Sequence, residues 1–170
     1  MIKGHYRLGV GMVLLNGENK VFAGKRKTPN SRMVSWFLNK PWQMPQGGIE
    51  QGESPLDAAL RELREEIGTD KVELVAESEQ WFKYIIPQNL RRNGYRFVGQ
   101  QQKWFLLRFL GSDEDINLKS TNHSEFDSWR WMTYSNLIRL SVHFKRSLYT
   151  DVFAAFKTYF VEDETPVENG

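Results

Sequence analysis

The sequence contains no cysteine. This excludes disulfide bridges and any zinc site built on thiolates, and it argues against a small secreted scaffold held by cross-links. The three histidines, His5, His123 and His143, are scattered, so neither an imidazole-rich metal site nor a histidine nucleophile is indicated. No run approaches the roughly 20 apolar residues that a membrane span requires, and residues 1–11 lack the apolar core of a signal peptide. We therefore expect a cytoplasmic protein with no membrane association. An excess of one charge is missing too, since 23 Lys and Arg against 21 Asp and Glu leave a net +2. That balance is too even for the whole surface to adhere to nucleic acid or to lipid.

What is present is local. The 170 residues suffice for one domain that hides most of its unfolded surface. Residues 1–46 carry +7, residues 47–73 carry −5, and residues 74–170 are neutral, so a basic segment is followed by an acidic one. The single domain is expected over residues 1–160. Residues 161–170, with Glu162, Asp163, Glu164 and Glu168, read as a flexible acidic tail.

Residues 8–15 are apolar and partly β-branched, Asn16-Gly17 is a hairpin-turn signal, and residues 20–26 form the return strand. Residues 28–41 lose periodicity and gather Pro, Asn, Ser and Arg around Trp36 and Phe37, which predicts a long surface loop. Trp42, Gln43 and Met44 suit a short strand, and Pro45, Gln46, Gly47 and Gly48 suggest irregular backbone. Ser54 as N-cap, Pro55 at the first helical position, Asp57 as a capping acid and Gly68 as the stop define a helix over residues 55–67. Residues 80–86, 103–110 and 129–133 are rich in aromatic and branched side chains and read as strands. Leu148, Val152, Phe156 and Phe160 recur every fourth position, which predicts a second helix over residues 144–160. Strands and two helices in this order imply an α/β (α+β) fold with a sheet covered on both faces.

The helix over residues 55–67 carries the chemistry. Leu56, Ala59, Leu60, Leu63 and Ile67 make its packing stripe, and Glu62, Glu65 and Glu66 fall beside that stripe at i, i+3 and i+4. Carboxylates so placed repel one another. Such a cluster ordinarily just faces water. Here, however, a glycine pair lies upstream, where backbone can approach a ligand, and a fourth acid, Glu53, precedes the helix. Clustered oxygens without thiol or imidazole suit a hard divalent cation such as Mg2+ or Mn2+.

Gly47, Glu53 and the run Arg61-Glu62-Leu63-Arg64-Glu65-Glu66-Ile67-Gly68, at these spacings, resemble the signature of the Nudix hydrolases. Thr69 departs from the pattern, which prefers an aliphatic residue there. The resemblance implies a Nudix fold, a mixed β-sheet sandwiched between α-helices. It also implies a site for Mg2+, or Mn2+ or another divalent cation, formed by Glu62, Glu65, Glu66 and the Gly47 carbonyl, with Glu53 and Arg61 as a supporting pair. Glu62 is the first candidate for the general base and Glu125 the second. Glu125 is either a further ligand, since acids outside the motif often complete the site in this family, or a plain surface acid. The implied reaction is cleavage of a phosphoric anhydride in a nucleoside diphosphate linked to another moiety.

Outside the motif, Tyr6-Arg7, residues 42–49, 99–107 and 125–131, and Val142-His143-Phe144-Lys145-Arg146 resemble the bacterial RNA pyrophosphohydrolases, a group also described as dinucleoside polyphosphate hydrolases. The likeness runs from about residue 6 to residue 160. Residues 28–41 depart from it as a longer loop. It implies removal of pyrophosphate from a 5′-triphosphate RNA end, a step that promotes mRNA decay. The alternatives are hydrolysis of dinucleoside polyphosphates and a catalytically silent RNA-binding module. By the same resemblance Arg7, Val142, Phe144 and Lys145 would hold the RNA end, with a base between guanidinium and ring, while Arg26 and Lys103 would face the phosphates. The residues alone allow a plainer account. Phe144 can begin the second helix's packing stripe, Lys145 and Arg146 can be solvated, and Trp104, Trp129 and Trp131 suit the core better than a base platform. Nothing in the sequence fixes the oligomeric state.

Overall fold

The computed structural model describes residues 4–27, 42–91 and 93–160. The expected long loop, with Trp36 and Phe37, and the expected acidic tail lie outside these residues. Eight strands are found among the described residues: β1 (His5–Leu15), β2 (Val21–Arg26), β3 (Trp42–Gln43), β4 (Gln46–Gly48), β5 (Val72–Glu77), β6 (Phe82–Ile85), β7 (Phe97–Phe109) and β8 (Phe126–Met132). The helices are α1 (Pro55–Ile67), α2 (Tyr134–Leu140) and α3 (His143–Ala155). None is long and apolar enough to cross a membrane.

The sheet has the order β3-β2-β1-β7-β5, with β4 beside β1, β6 beside β7 and β8 beside β2. It is mixed. β1 and β7 run parallel, and every other pair is antiparallel. A parallel pair needs a crossover, and α1 lies on that connection. Because β1 is central and covered on both faces, Val10, Met12, Val13, Leu14 and Leu15 are all buried and the strand reads as a nearly continuous apolar run.

Alternation sorts the side chains into two cores. Val10, Met12, Leu14, Phe105, Leu107 and Phe109 pack with Ala58, Ala59, Leu63 and Ile67 of α1. Val13, Leu15, Trp104 and Leu106 pack with Leu137 of α2 and Leu148, Tyr149, Val152 and Phe153 of α3. The expected arrangement, a mixed sheet between helices in an α+β fold, is therefore the one observed. Trp104 is fully buried, and Trp129 stacks on Phe22 at 5.6 Å, so these indoles are packing groups.

Several local expectations change. Gln46–Gly48 is regular strand, because Gly47 and Gly48 pair with Val10 and Gly9 of β1. The connection from β1 to β2 is wider than an Asn-Gly two-residue turn. It closes between Leu15 and Val21, Asn16 Oδ1 accepts from the backbone N–H of Glu18 and Lys20 at 3.0 Å each, and the left-handed residue is Asn19. β7 begins at Phe97, six residues before its expected start, and β8 begins at Phe126, three before. β5 and α2 were not expected at all. The second expected helix is α3. It ends at Ala155 and gives way to a 3-10 turn over Lys157–Tyr159, although Phe160 still packs on the core. On α1, Ala58 is fully buried where Leu60 was expected, and Leu56 and Leu60 are only half-buried.

β2 and β8 pack closely at Gly24. A Cβ on Gly24 would stand 2.5 Å from Cγ and Cδ1 of the buried Phe126 ring. Gly24→Ala should cost about 1 to 3 kcal/mol of stability and lower the melting temperature by roughly 2 to 12 °C in a thermal unfolding scan. An unchanged melting temperature would contradict this strand pairing.

Candidate active site

The site begins at the two ends of α1. At its start the Ser54 side chain accepts from the Asp57 backbone N–H at 3.1 Å, and its hydroxyl donates to Asp57 Oδ2 at 2.8 Å, so Asp57 is occupied with the cap. At its end four backbone carbonyls lack partners within the helix. The Gly68 N–H, in left-handed conformation, takes that of Arg64. The hydroxyls of Thr121 and Ser124 donate to those of Glu65 and Glu66 at 2.7 Å each, and the Asn117 N–H takes that of Ile67. The segment before β8 is thereby fastened to the helix end. This fastening delivers Glu125 to the acidic cluster.

Arg61 is the centre of the arrangement. Its Nε and Nη2 donate to the two oxygens of Glu53 at 2.8 and 2.9 Å, and Nη2 also donates to the Gly48 carbonyl at 2.9 Å. Its Nη1 donates to Glu62 Oε1 at 3.0 Å and to Glu65 Oε2 at 3.3 Å. All five guanidinium N–H groups can be used this way. The hydrogen bonds from Arg61, then that from the Glu50 backbone, hold Glu53 down at about 2, and the Glu53 bond in turn raises Arg61 above its ordinary value. The pair carries fixed charges at any working pH.

Gly47 and Gly48 have a steric reason to be glycine. A Cβ on Gly47 would fall on the Glu62 carboxyl, and one on Gly48 would fall on the Arg7 guanidinium. The bare strand lets both groups lie against the backbone.

Glu66 is 5% exposed and accepts from the Glu125 backbone N–H at 3.2 Å. Burial, and after it the Glu125 charge, pushes its carboxyl up to about 8. The Glu62 side chain is 13% exposed and is also pushed up, again first by burial and against the opposing Arg61 bond. Glu125 itself is 55% exposed in its side chain, and Arg26 Nη1 lies 3.7 Å from its Oε2. The structure thus brings Glu53, Arg61, Glu62, Glu65, Glu66, Glu125, Arg26 and the Gly47 backbone together. Among the described residues no three carboxylate or imidazole groups are already spaced to enclose a cation. The donor chemistry nevertheless fits a hard divalent ion. It is all oxygen, and the Glu62 and Glu66 carboxylates are poorly solvated where they stand, burial being the first cause that raises both.

The expected substrate-binding residues divide. Arg7 is exposed on β1 above Gly48. Phe144 is half-buried and stacks on Tyr84 at 6.2 Å, so one of its faces is backed by an aromatic ring. Val142 is buried as the residue before α3. Lys145 is no surface contact. It is 3% exposed, donates to Gln43 Oε1 at 3.2 Å and lies over the Tyr84 ring, and burial pulls its ammonium down to about 7. Lys103 is directed elsewhere, its Nζ at 3.4 Å from the Glu79 carbonyl. Tyr84, Gln43, the Gly48 carbonyl, Thr121 and Ser124 were not singled out from the sequence. Each is an ordinary residue type whose role depends on a distant partner. Also unforeseen is the polar set in which Gln46 Nε2 donates to Tyr84 Oη and Gln102 Nε2 donates to Gln46 and Gln100.

A carboxylate helix held by an arginine on a mixed sheet covered on both faces defines the class, and the chain belongs to the Nudix family, the NUDIX domain matching residues 5–152. It is 47% identical over 156 residues to the RNA pyrophosphohydrolase of Rickettsia africae (strain ESF-5), covering 90% of this chain and 91% of that protein. It is 46% identical over 158 residues to the RNA pyrophosphohydrolase of Roseobacter denitrificans (strain ATCC 33942 / OCh 114), covering 91% and 93%. Among solved structures it resembles the E. coli dihydroneopterin triphosphate pyrophosphohydrolase, with a TM-score of 0.66 and 18% identity over 91% of this chain and 99% of that one. It also resembles a C. elegans Ap4A hydrolase binary complex, with a TM-score of 0.58 and 18% identity over 89% and 99%. At that identity these two show the fold alone.

The raised Glu66 value sets a pH dependence. The group binds its proton more tightly folded than unfolded, so the metal-free protein loses stability as pH rises from about 4.5 toward about 8. Between pH 5 and 7 the melting temperature of the metal-free chain should fall, with a slope of at most about 1.4 kcal/mol per pH unit from this group. Saturating Mg2+ or the Glu66→Gln substitution should flatten it. A slope unaffected by either would show that Glu66 does not carry the effect.

Proposed function

We infer that this chain is a Mg2+-dependent pyrophosphohydrolase that removes pyrophosphate from the 5′-triphosphate end of RNA and leaves a 5′-monophosphate, a step that promotes mRNA decay. The observation that carries this reading is the 46–47% identity, over nine-tenths of both chains, to proteins named RNA pyrophosphohydrolase.

In this reading Glu62, Glu65, Glu66, Glu125 and the Gly47 carbonyl hold the divalent cation. When bound, it neutralises phosphate oxygens and makes a coordinated water acidic enough to attack. Glu53 acts through Arg61, whose remaining donors fix the Glu62 and Glu65 oxygens. Glu62 is the first choice for the base that takes the proton of the attacking water, because burial brings its carboxyl nearer to neutrality and so makes it a better acceptor. Glu125, more exposed, is the second. The water oxygen bonds to the α-phosphorus, the bond from that phosphorus to its bridging oxygen breaks, and pyrophosphate leaves with the electron pair. Arg26, beside Glu125, supplies positive charge toward the phosphate chain, and Lys145 lies against the Tyr84 ring of the platform that meets the base.

The base of the RNA end stacks at the aromatic platform of Phe144 and Tyr84, with Arg7 on the same side of the sheet. Arg7 and Tyr84 are each paired with Gln100 across β1, β7 and β6, which places them two strand spacings apart, about 10 Å. Stacking contributes roughly 1 to 3 kcal/mol per base and tolerates any base, which suits an enzyme that acts on many transcripts. The same platform and metal site would accept a dinucleoside polyphosphate, so that activity is the competing outcome.

Glu66→Gln should lower Mg2+-dependent turnover on the order of a hundredfold or more without unfolding the chain, and full activity in that variant would refute the assignment. Triphosphorylated RNA of at least two nucleotides should be turned over with higher kcat/KM than diadenosine tetraphosphate or free nucleoside triphosphates. A preference for the dinucleotide would replace the RNA reading, and binding without turnover under any metal would indicate a silent module.

A further inference from the structure

Gln43 stands between two sets of residues that meet different parts of the substrate. Its side-chain oxygen accepts from Lys145 Nζ at 3.2 Å and from Arg26 Nη1 at 3.5 Å, and the residue is 4% exposed. From Arg26 the contacts continue to Glu125 Oε2 at 3.7 Å, and from the Glu125 N–H to Glu66 Oε2 at 3.2 Å. From Lys145 they continue to the Tyr84 ring, 5.5 Å from the ammonium, and then to Phe144. One amide oxygen thus joins the carboxylate cluster to the aromatic platform.

The residue type suits that position. Two cations brought close repel each other, and an amide oxygen has two lone pairs with which to accept from both while adding no charge of its own. Lys145 is buried, and an ammonium taken out of water without an acceptor is costly. Among the described residues the hydrogen bond recorded for its Nζ is the one to Gln43. Gln43 is itself set by the pairing of β3 with β2, where it lies opposite Gly24, so its oxygen is anchored to the sheet and not to a flexible loop.

We propose that Gln43 is a positioning residue for the hydrolysis, which fixes Lys145 and Arg26 so that the phosphate chain and the stacked base of one substrate bind in register. This rests on the reading in which Phe144 stacks the base and the carboxylates serve the phosphates. Gln43 touches neither substrate part. It acts through the two cations.

The test is a double-mutant cycle on the magnesium-loaded full chain, with Gln43→Met, Lys145→Met and the double variant, kcat and KM being measured separately. Gln43→Met should raise KM about tenfold, equivalent to about 1.4 kcal/mol, with a smaller change in kcat. The double variant should be worse than Lys145→Met alone by clearly less than the Gln43→Met loss, because the part of the effect that runs through Lys145 is already gone and only the contact to Arg26 is left to lose. Gln43→Glu, which keeps the acceptor, should recover most of the loss in KM. Losses that multiply in the double variant, or a Gln43→Met enzyme with unchanged KM, would overturn the proposal. If Gln43→Met does not fold, Gln43→Asn, which withdraws the oxygen by one methylene, replaces it in the same cycle. The cycle is run on whichever of triphosphorylated RNA and diadenosine tetraphosphate the wild type turns over faster. A wild type that prefers the dinucleotide therefore refutes the RNA reading while the cycle still decides the role of Gln43.

Discussion

The site depends on one guanidinium. Three carboxylates on neighbouring turns of α1, with a fourth brought in ahead of β8, would repel one another and favour either fraying of the helix or protonation. Arg61 opposes this by donating to Glu53, Glu62, Glu65 and the Gly48 carbonyl together, which ties the helix, the loop before it and β4 into one unit. A lysine offers a point charge without that fork, so it could not hold the same four partners in fixed directions. Around this unit the rest of the fold acts as a support. The pairing of β4 with β1 brings bare glycine backbone up to the Glu62 carboxyl, and the Thr121 and Ser124 hydroxyls fasten the Glu125 segment to the helix end.

What the sequence made legible follows from how local each signal is. The bounds of α1 are readable to the residue because cap, first-turn proline and terminal glycine all lie in it or directly beside it. The acidic cluster was readable because helical spacing alone places Glu62, Glu65 and Glu66 together. Gln46–Gly48 was not, since glycines suggest irregular backbone and only the partner strand makes them regular. The first residues of β7, with Gly99 and a run of glutamines, have weak strand propensity and are held by pairing with β1 and β6. Lys145 looked like a surface cation because sequence cannot show that Gln43, a hundred positions away, accepts its hydrogen bond inside the fold. Thr69, the departure from the family pattern, is buried and accepts from the Lys71 N–H at 3.1 Å, so it shapes the turn after α1 without entering the site.

The near-neutral charge has a structural meaning. On the α1 side the acids gather in partial burial, where a divalent cation is the natural complement. On the other side Lys145 sits against Tyr84, which stacks on Phe144, where a base can be received, and Arg26 lies between the two groups, on Glu125 and Gln43. An enzyme that grips only the end of a polyanion needs such opposed local fields and no basic coat, in contrast to proteins that bind along the backbone.

In this reading hydrolysis depends on a cation held by the carboxylates gathered on α1, Glu62 and Glu66 among them. Anomalous scattering from a crystal of the chain grown with Mn2+ tests it directly. Strong peaks bounded by Glu62 and Glu66 oxygens are expected. Manganese bound elsewhere, or no peak there at concentrations that support hydrolysis, would contradict it.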